Sequence, residues 1–504
     1  MNKRFFRINI MKIIPIVIFL LFALIVIPDL AHARPGGGQS YSGGDSGGGG
    51  GDGDLVGLII YILLSLPPEI SIPLVIIIIV FYILSKRKKK ASAQTISSVP
   101  TYENRNTNTI NMDSRIENFK NSDLNFSKTL FLDFVSSIYL KYYSLYSKRE
   151  FSNLKPYLSQ QIFDNGIRVP LNSRTVTENV IGNINIVSIL ENPQITMITT
   201  DISANFTMTI GGKSTRYIIK ERWTFARNKG VLSLGPEKMR DLKCPNCGAA
   251  SNFSDAGQCD HCETFIESGK MQWFVSQLNI LHQEAYSTQG LGHYSPEVGT
   301  DYPTIVQSNI SDYIRQFSNN HGIGDWNGYW AGFTDNIVSI YFQEIYKAWN
   351  DLKWEKIRHL VSDRLYDSYN FWIVIYKSQG LRNRLENISI HRIDMARVDV
   401  DKFYESFTVR VFASCLDYVE TTTGQLKGGS KKDARFYSEY WTFIRRTGVE
   451  KEESEFNLNT CPNCGAPADK MGQAGVCEYC NTKISTGDFS WVLTRIVQDE
   501  EYVG

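Results

Sequence analysis

The fold of this chain is decided by a stretch that occurs twice, Glu221-Arg-Trp-Thr-Phe-Ala-Arg227 and Glu439-Tyr-Trp-Thr-Phe-Ile-Arg445. Upstream of it, residues 143–164 align without a gap on residues 346–367. The offset between the copies grows from 203 to 218 residues, so the second copy is about 15 residues longer between the two blocks. We expect the additional residues in the polar stretch 421–433, and we interpret the chain as two copies of one unit.

Apolar periodicity predicts that each copy begins with helices and continues into strands. Residues spaced four apart indicate one face of a helix. They form two matching sets, Leu154, Leu158 and Ile162 in the first copy and Ile357, Val361 and Leu365 in the second. Apolar residues alternate with mostly polar ones over residues 407–415, which is typical of a strand with one buried face, and we expect Cys415 to fill the core there. Helices followed by antiparallel strands predict an α+β fold.

Eight of the nine cysteines form two sets with the spacing of zinc ligands. Each set contains two CxxC pairs separated by eleven or twelve residues, a spacing that brings four thiolates around one zinc ion. The predicted ligands are Cys244, Cys247, Cys259 and Cys262 in the first set and Cys461, Cys464, Cys477 and Cys480 in the second. Four protein thiolates leave no position open for water or substrate, so we expect two structural zinc ions.

Two other chemistries could use the same cysteines. Disulfides form in exported regions, whereas the charge pattern at the N-terminus favours the cytoplasm for these residues. Iron–sulfur clusters need the same number of thiolates, but Gly248 and Gly465 favour the tight turns of a zinc ribbon. His261 lies inside a CxxC pair, yet Tyr479 replaces it in the second set, so we interpret His261 as a surface residue.

The first 90 residues carry export and membrane signals. Residues 1–33 have the basic start, apolar stretch and small-residue cleavage pattern of a signal peptide, with an uncleaved anchor helix as the alternative. Residues 34–54 are a glycine-rich segment that we expect outside the cytoplasm. Residues 55–85 are apolar enough for a single membrane-spanning helix. The basic stop at Lys86-Arg-Lys-Lys-Lys90 opens a polar linker over residues 86–127 and predicts that the remainder is cytoplasmic.

Charge argues against nucleic-acid binding. The 504 residues have a net charge of +1, but residues 1–90 hold ten basic and five acidic residues, so the remaining part is mildly acidic. Both cysteine-rich segments, residues 244–270 and 461–488, have more acidic than basic side chains. Phosphate backbones need clustered Lys and Arg, so we expect no nucleic-acid partner.

No catalytic motif is present in the sequence, and we predict no catalytic residue, no cofactor-binding residue and no enzymatic activity. An enzyme that used the interior of the fold would have to rely on His359, His391 or Asp394. His359 lies off the apolar helix face, so we expect it to be exposed. Eleven residues after the last cysteine of each set come Trp273 and Trp491, which we expect to pack back on the cysteine-rich modules.

The second copy contains Ala348-Trp349, the run Leu360-Val-Ser-Asp363, Phe407-Thr-Val409 and the closing block 439–445. With these residues it resembles the Tim44-like domain, named for a subunit of the mitochondrial inner-membrane translocase. The resemblance is weaker in the first copy, where Tyr146 replaces Trp349. The resemblance implies a cone-shaped fold like that of nuclear transport factor 2, with helices on a curved antiparallel sheet and no catalytic residues. Bacterial members share the exported N-terminus, glycine-rich stretch, apolar span and basic stop, which implies a bacterial cell membrane.

Together these features predict a duplicated, membrane-anchored protein with a first Tim44-like domain at residues 128–240 and a second at residues 333–457. The first zinc ribbon and its following segment span residues 241–280, a linker spans 281–332, and the second ribbon with the C-terminal segment spans 458–504. The expected function is a cytoplasm-facing scaffold for an unidentified protein partner, related by resemblance to protein translocation or the cell envelope. The alternative is small-ligand or lipid binding in the cone cavity, and contact of the basic stop with anionic lipid is also open.

Overall fold

The computed structural model describes residues 102–504, except for residues 146–147, 149, 169–173, 240–241, 251, 287–299, 450–458, 468–470, 473 and 500. The predicted signal peptide, glycine-rich segment, membrane segment and basic stop lie outside the described residues. Within the part of the chain that is described, no helix is both long and apolar enough to cross a membrane.

The described residues of the first half form four helices, a 3-10 helix at Phe151–Tyr157 and four strands. The helices are α1 (Tyr102–Ser122), α2 (Lys128–Leu145), α3 (Gln160–Arg168) and α4 (Pro236–Met239). The strands are β1 (Arg174–Glu191), β2 (Ile195–Ile210), β3 (Lys213–Asn228) and β4 (Phe274–Tyr286), which form one antiparallel sheet in the order β1-β2-β3-β4.

The second half repeats this order of elements with additions. Its helices are α5 (Ile310–His321), α6 (Trp326–Phe333), α7 (Ser339–Asn350) and α8 (Asp363–Ser378), with a π-helical turn at Thr334–Val338 and a 3-10 helix at Trp354–Ile357. Its strands are β5 (Leu381–Val400), β6 (Tyr404–Thr421), β7 (Leu426–Gly429), β8 (Arg435–Arg446) and β9 (Val492–Gln498). The antiparallel sheet has the order β5-β6-β8-β9, with the short β7 paired to β6. The mixed content and antiparallel pairing agree with the predicted fold class.

Strand register matches between the halves. Trp223 pairs with Thr200, and Trp441 pairs with Val409, so the offset at the second strand is 209 residues. Of the additional residues, six therefore precede this strand and nine lie at the hairpin tip that contains β7. The prediction that placed all of them at residues 421–433 is correct for the nine only. The six residues that precede the strand coincide with a longer helix in the second half, where α8 has 16 residues and its counterpart α3 has nine.

Each cysteine-rich segment lies between two neighbouring strands of a sheet. The first separates β3 from β4, and the second separates β8 from β9. The predicted boundaries placed each ribbon after a finished domain, whereas the strand that completes each sheet comes after the ribbon in the chain. The reason is that β4 and β9 were interpreted as tail segments. Each of these strands begins one residue after a buried tryptophan, Trp273 or Trp491.

Two segments predicted as linkers contain helices. Helix α1 lies in the predicted polar linker, and its apolar residues Ile116 and Phe119 are buried in the first core. Helix α5 and all of α6 except Phe333 lie within residues 281–332, and Phe317 of α5 is fully buried in the second core. The sequences of α1 and α5 are mostly polar, so composition alone suggested linkers there.

The four-residue apolar spacing does not mark one helix face. Leu154 lies in the 3-10 helix, Leu158 forms a parallel bridge with Val275 of β4, and Ile162 lies in α3. In the second half, Val361 bridges to Leu493 of β9 in the same way. All six predicted residues are buried, because the segment crosses from one element to the next under the same core.

Strand β6 is buried on both of its faces. The alternating residues Phe407 to Cys415 face the second core, as predicted, and Cys415 is 1% exposed. The opposite face also is covered, since Arg410 is buried and its guanidinium contacts Asp499 at 2.9 Å and the Tyr302 carbonyl at 2.7 Å. The prediction of a single buried face is therefore wrong, because segments distant in sequence fold over the polar side.

Candidate metal centres

The structure brings the eight predicted cysteines together as two groups of four. Within each group the four Sγ atoms lie within 4.8 Å of one another. Cys461 and Cys480 have their Sγ atoms 3.9 Å apart, and Cys464 and Cys477 are 3.8 Å apart. Thiolates at the corners of a tetrahedron, each about 2.3 Å from zinc, lie roughly 3.8 Å apart, whereas a disulfide needs about 2.05 Å. The geometry fits one metal ion in each group, consistent with zinc.

Tight turns hold each CxxC pair. In the first pair, the Gly248 N–H donates to the Cys244 carbonyl at 2.8 Å, and Gly248 has a φ of 77°. Gly465 repeats this turn in the second ribbon with a φ of 76°. In the other pair of each ribbon, Glu263 and Asn481 take the left-handed conformation instead. These turns aim backbone N–H groups toward the thiolates, which favours the charged ligands.

An asparagine and a threonine, which sequence analysis did not single out, join the two pairs of each ribbon. The Asn246 amide donates to the Thr264 hydroxyl at 3.0 Å, and Asn463 donates to Thr482 at the same distance. Their signal in the sequence is the repeated CPNC motif together with a threonine two residues after the last cysteine.

These contacts shift the thiol pKa values of the last ligand in each ribbon. Hydrogen bonds from Thr264, and then from Asn246, lower the pKa of Cys262 to about 5. Thr482 and then Asn463 lower the pKa of Cys480 to about 6. A thiol with a lowered pKa is a thiolate at neutral pH, which is the form that binds metal. In each ribbon, therefore, the thiol of the last cysteine is already ionised at neutral pH and can bind a metal ion.

Both ribbons rest on the same part of their sheet domain. Gly257 of the first ribbon packs on the Lys155 side chain, and Gly475 of the second packs on Arg358 at the equivalent position. In the second half, Asp363 joins the ribbon to helix α8, because it pairs with Arg358 and with Lys483 at 2.5 Å. Burial opposes ionisation of Asp363, but the two cations outweigh it and lower its pKa. The second ribbon is thus attached to α8 by an ion pair, and both ribbons pack closely on the segment that precedes this helix or its counterpart.

The remaining predicted residues have structural positions. His261 and Tyr479 are exposed, as expected, and neither belongs to a cysteine group. Trp273 is buried in a hydrophobic cluster that includes Phe253 and Ile266 of the first ribbon, whereas Trp491 is buried in the core of the second sheet domain. Trp491 contacts Phe407 with ring centroids 4.9 Å apart. The aromatic side chain therefore anchors the closing strand.

The three candidate acid–base residues are held by separate neighbours. His391 is exposed and contacts the Ser414 hydroxyl at 2.8 Å. Asp394 accepts a hydrogen bond from Thr304 at 2.7 Å. His359 is half-buried, so the prediction of exposure is wrong. It follows a 3-10 helix and not an α-helix, so a helical face could not decide its position.

A buried carboxyl group at an equivalent position in each half was missed at the sequence level. Glu221 is fully buried, accepts a hydrogen bond from the Tyr143 hydroxyl at 2.8 Å, and its burial raises its pKa to about 7. Glu439 is fully buried at the matching position and accepts from the Trp441 indole at 3.0 Å. The signal was present, because both residues open the repeated block of the sequence.

A groove of about 580 Å³ lies between α7 and β5 in the second half. It is lined by both apolar and charged side chains, including Phe342, Lys347, Arg384 and Ile390. The groove offers room for a small molecule.

Comparison with known proteins identifies one domain. The family described as the Tim44-like domain matches residues 330–459, which run from α6 to just before Cys461. A search of curated proteins returned no match. Among solved structures, an "Ntf2 like protein involved in plasmid conjugation" matches with 10% identity and a TM-score of 0.18, covering 64% of this chain and 96% of that chain. A TM-score this low supports no inference about fold or function.

Proposed function

We propose that this chain is a membrane-anchored scaffold that presents two zinc-stapled Tim44-like units to a protein partner in the cytoplasm. The observation that carries the proposal is the Tim44-like match at residues 330–459, which suggests a translocation- or envelope-related role at a coarse level. The repeated order of elements supports the extension to the first half, and helices packed on β1 and β5 support a cone-shaped fold for each unit.

The anchoring part of the proposal rests on sequence. Residues 1–33 would direct export, residues 55–85 would span a bacterial cell membrane, and the basic stop would hold the following residues inside. Carbonate-washed membranes should retain the full chain. Protease added to inverted vesicles should cleave the region after residue 90, whereas protease added to intact spheroplasts should spare it. The opposite protection pattern would contradict the topology.

The metal part of the proposal is one structural zinc ion in each ribbon. Closed four-thiolate groups support it, because such a site leaves no ligand position for substrate. Metal analysis of the purified full chain should find two zinc ions per chain, one for each cysteine group. Iron in place of zinc, or loss of free thiols under non-reducing conditions, would contradict this assignment.

The partner is best sought with a crosslinker placed on an exposed ribbon side chain. A photoreactive residue at Tyr479, which is 66% exposed, would report contacts of the second ribbon in intact membranes. The same residue at Leu426 on the hairpin tip, 47% exposed, serves as the matched control. A scaffold role predicts a discrete crosslink to a membrane or envelope protein from position 479 and none from the control position 426. Indiscriminate or absent crosslinks from both positions would oppose it.

The second candidate function is small-ligand or lipid binding, favoured by the groove between α7 and β5. Native mass spectrometry of the full chain released from mild detergent should then detect a bound molecule. Ser389→Trp fills the groove without touching the core and should remove that mass. Retention of the bound mass in this variant would exclude the groove.

A further inference from the structure

A cavity of about 70 Å³ lies where the two halves of the chain meet. Its walls include the first turns of two long helices, with Lys128 and Thr129 from α2 of the first half and Arg364 from α8 of the second. Arg495 of β9 completes this wall. The N-terminal ends of helices carry partial positive charge, so the cavity combines two such ends with three cationic side chains.

The cations of this cavity outnumber its acids. The charged groups of the wall are the basic Lys120, Lys128, Arg364, Arg397 and Arg495, the acidic Asp133, Asp399 and Asp401, and the terminal carboxylate of Gly504. Arg397 already binds Asp399 and Asp113, and Lys120 binds Glu117. Among the described residues, no carboxylate oxygen lies within ion-pair distance of Lys128, Arg364 or Arg495.

Two of these guanidinium groups also have buried N–H groups without a partner. Arg364 Nη1 and Arg495 Nε are both inaccessible to solvent and donate to no acceptor among the described residues. The Nη2 group of Arg495 donates to Asn185 of the first half at 2.8 Å, which fixes the side chain across the junction. A buried donor without a partner is costly, and a bound anion would satisfy both groups.

Burial is the main cause of the lowered pKa values of these cations, and neighbouring arginines add to its effect. Burial, and then Arg397, lowers the pKa of Lys128 to about 8. Burial, and then Arg364, lowers the pKa of Arg495 to about 10. Asp133 and Glu501 act in the opposite direction on Arg364 and Arg495 but do not cancel the effect of burial.

The first half provides an internal comparison. The positions equivalent to Arg364 and Arg495 are Gln161 and Gln277, which line a groove together with Asn165 and other uncharged side chains. The fold therefore accepts glutamine at both positions. Arginine at both positions in the second half serves something other than folding, since burying two neighbouring cations opposes stability.

We propose that the junction cavity binds a phosphate group, either as inorganic phosphate or as part of a small phosphomonoester. Arginine forks suit phosphate oxygens, and three converging cations favour a dianion over a carboxylate. The cavity volume is roughly that of two water molecules, which suits a tetrahedral oxyanion. Since Lys128 and the two arginines come from different halves, a bound phosphate would fasten the halves to each other.

The test uses the full chain in detergent with inorganic phosphate, and with chloride at matched ionic strength as the reference. Phosphate should raise the thermal midpoint with the logarithm of its concentration, and calorimetry should give one site per chain. Glycerol 3-phosphate should bind more tightly than phosphate if the ester is the source, and no more tightly if phosphate itself is bound.

The matched variant is Arg364→Gln combined with Arg495→Gln, which restores the residues of the first half. It should keep the circular dichroism of the parent chain and lose phosphate affinity at least tenfold. Arg222→Gln, on an exposed ion pair of β3, should leave phosphate binding unchanged. An equal response to chloride, or an equal phosphate response in the folded double variant, would overturn the proposal.

Discussion

The buried carboxyl group of Glu221 makes the stability of the first half depend on pH in a direction that can be worked out. Glu221 is fully buried, and its pKa is about 7 in the folded chain against 4.5 for a free carboxyl. A raised folded-state pKa means that the stability is fully present below pH 4.5 and is lost as the pH rises through 7. The shift of about 2.5 pH units corresponds to roughly 3 kcal/mol.

Glu221→Gln should abolish this dependence. Glutamine has the shape of the protonated acid, and its amide oxygen can still accept from the Tyr143 hydroxyl. Relative to the variant, the parent chain should therefore lose stability at up to about 1.4 kcal/mol per pH unit between pH 4.5 and 7. At pH 8 the variant should be the more stable protein.

The assay is urea unfolding of both proteins across this pH range, with hydrogen exchange of β3 peptides assigning the transition to the first half. Glu237→Gln changes an exposed carboxyl on α4 and is the control, and its curve should run parallel to that of the parent chain. A pH-independent difference between the parent chain and Glu221→Gln would refute the reasoning, as would a slope of the opposite sign.

Three further predictions follow from the ribbons and the junction. Cys480→Ser should lose the metal of the second ribbon and make the chain near β9 sensitive to protease, whereas Cys415→Ser should keep the full metal content. Gly475→Ala should destabilise the second ribbon by about 1–2 kcal/mol, because its φ is +69° and a Cβ would lie 2.8 Å from a serine hydroxyl, and faster zinc release to a chelator would measure this. Arg397→Met should cost about 3–5 kcal/mol in urea unfolding, because it leaves the buried Asp113 and the half-buried Asp399 without their cation; an unchanged midpoint would contradict this.

Features encoded within a few residues could be predicted from the sequence. The cysteine groups depend only on the spacing of two pairs and on the glycine turns, so their positions agree with the structure. In the strand over residues 407–415, the alternation of apolar residues likewise indicates which face is directed to the hydrophobic core. The cysteine pairs depend on a tight turn, and the alternation in the strand depends on the pleat of its backbone. Both causes act within a few residues, as do the sequence patterns that indicate them.

Features that depend on distant contacts could not be predicted in the same way. The apolar spacing at Leu154, Leu158 and Ile162 suggested a helix, but Leu158 instead bridges to β4, more than a hundred residues away. The polar helix α1 looked like a linker because only the packed chain shows where Phe119 is buried. The cation cluster of Lys128, Arg364 and Arg495 exists only because the two halves meet, and no sequence spacing could have indicated it.

The position of the second ribbon between β8 and β9 couples metal binding to the completion of the sheet. Without a folded ribbon, the 45 residues from 447 to 491 would be a loop that must close before β9 can pair. For a flexible loop of this length the entropic cost is on the order of 3 kcal/mol, and a folded ribbon removes most of it. During synthesis β9 leaves the ribosome after Cys480, so a metal ion bound by the cysteine group would help a newly made chain to bury Trp491 and finish its core.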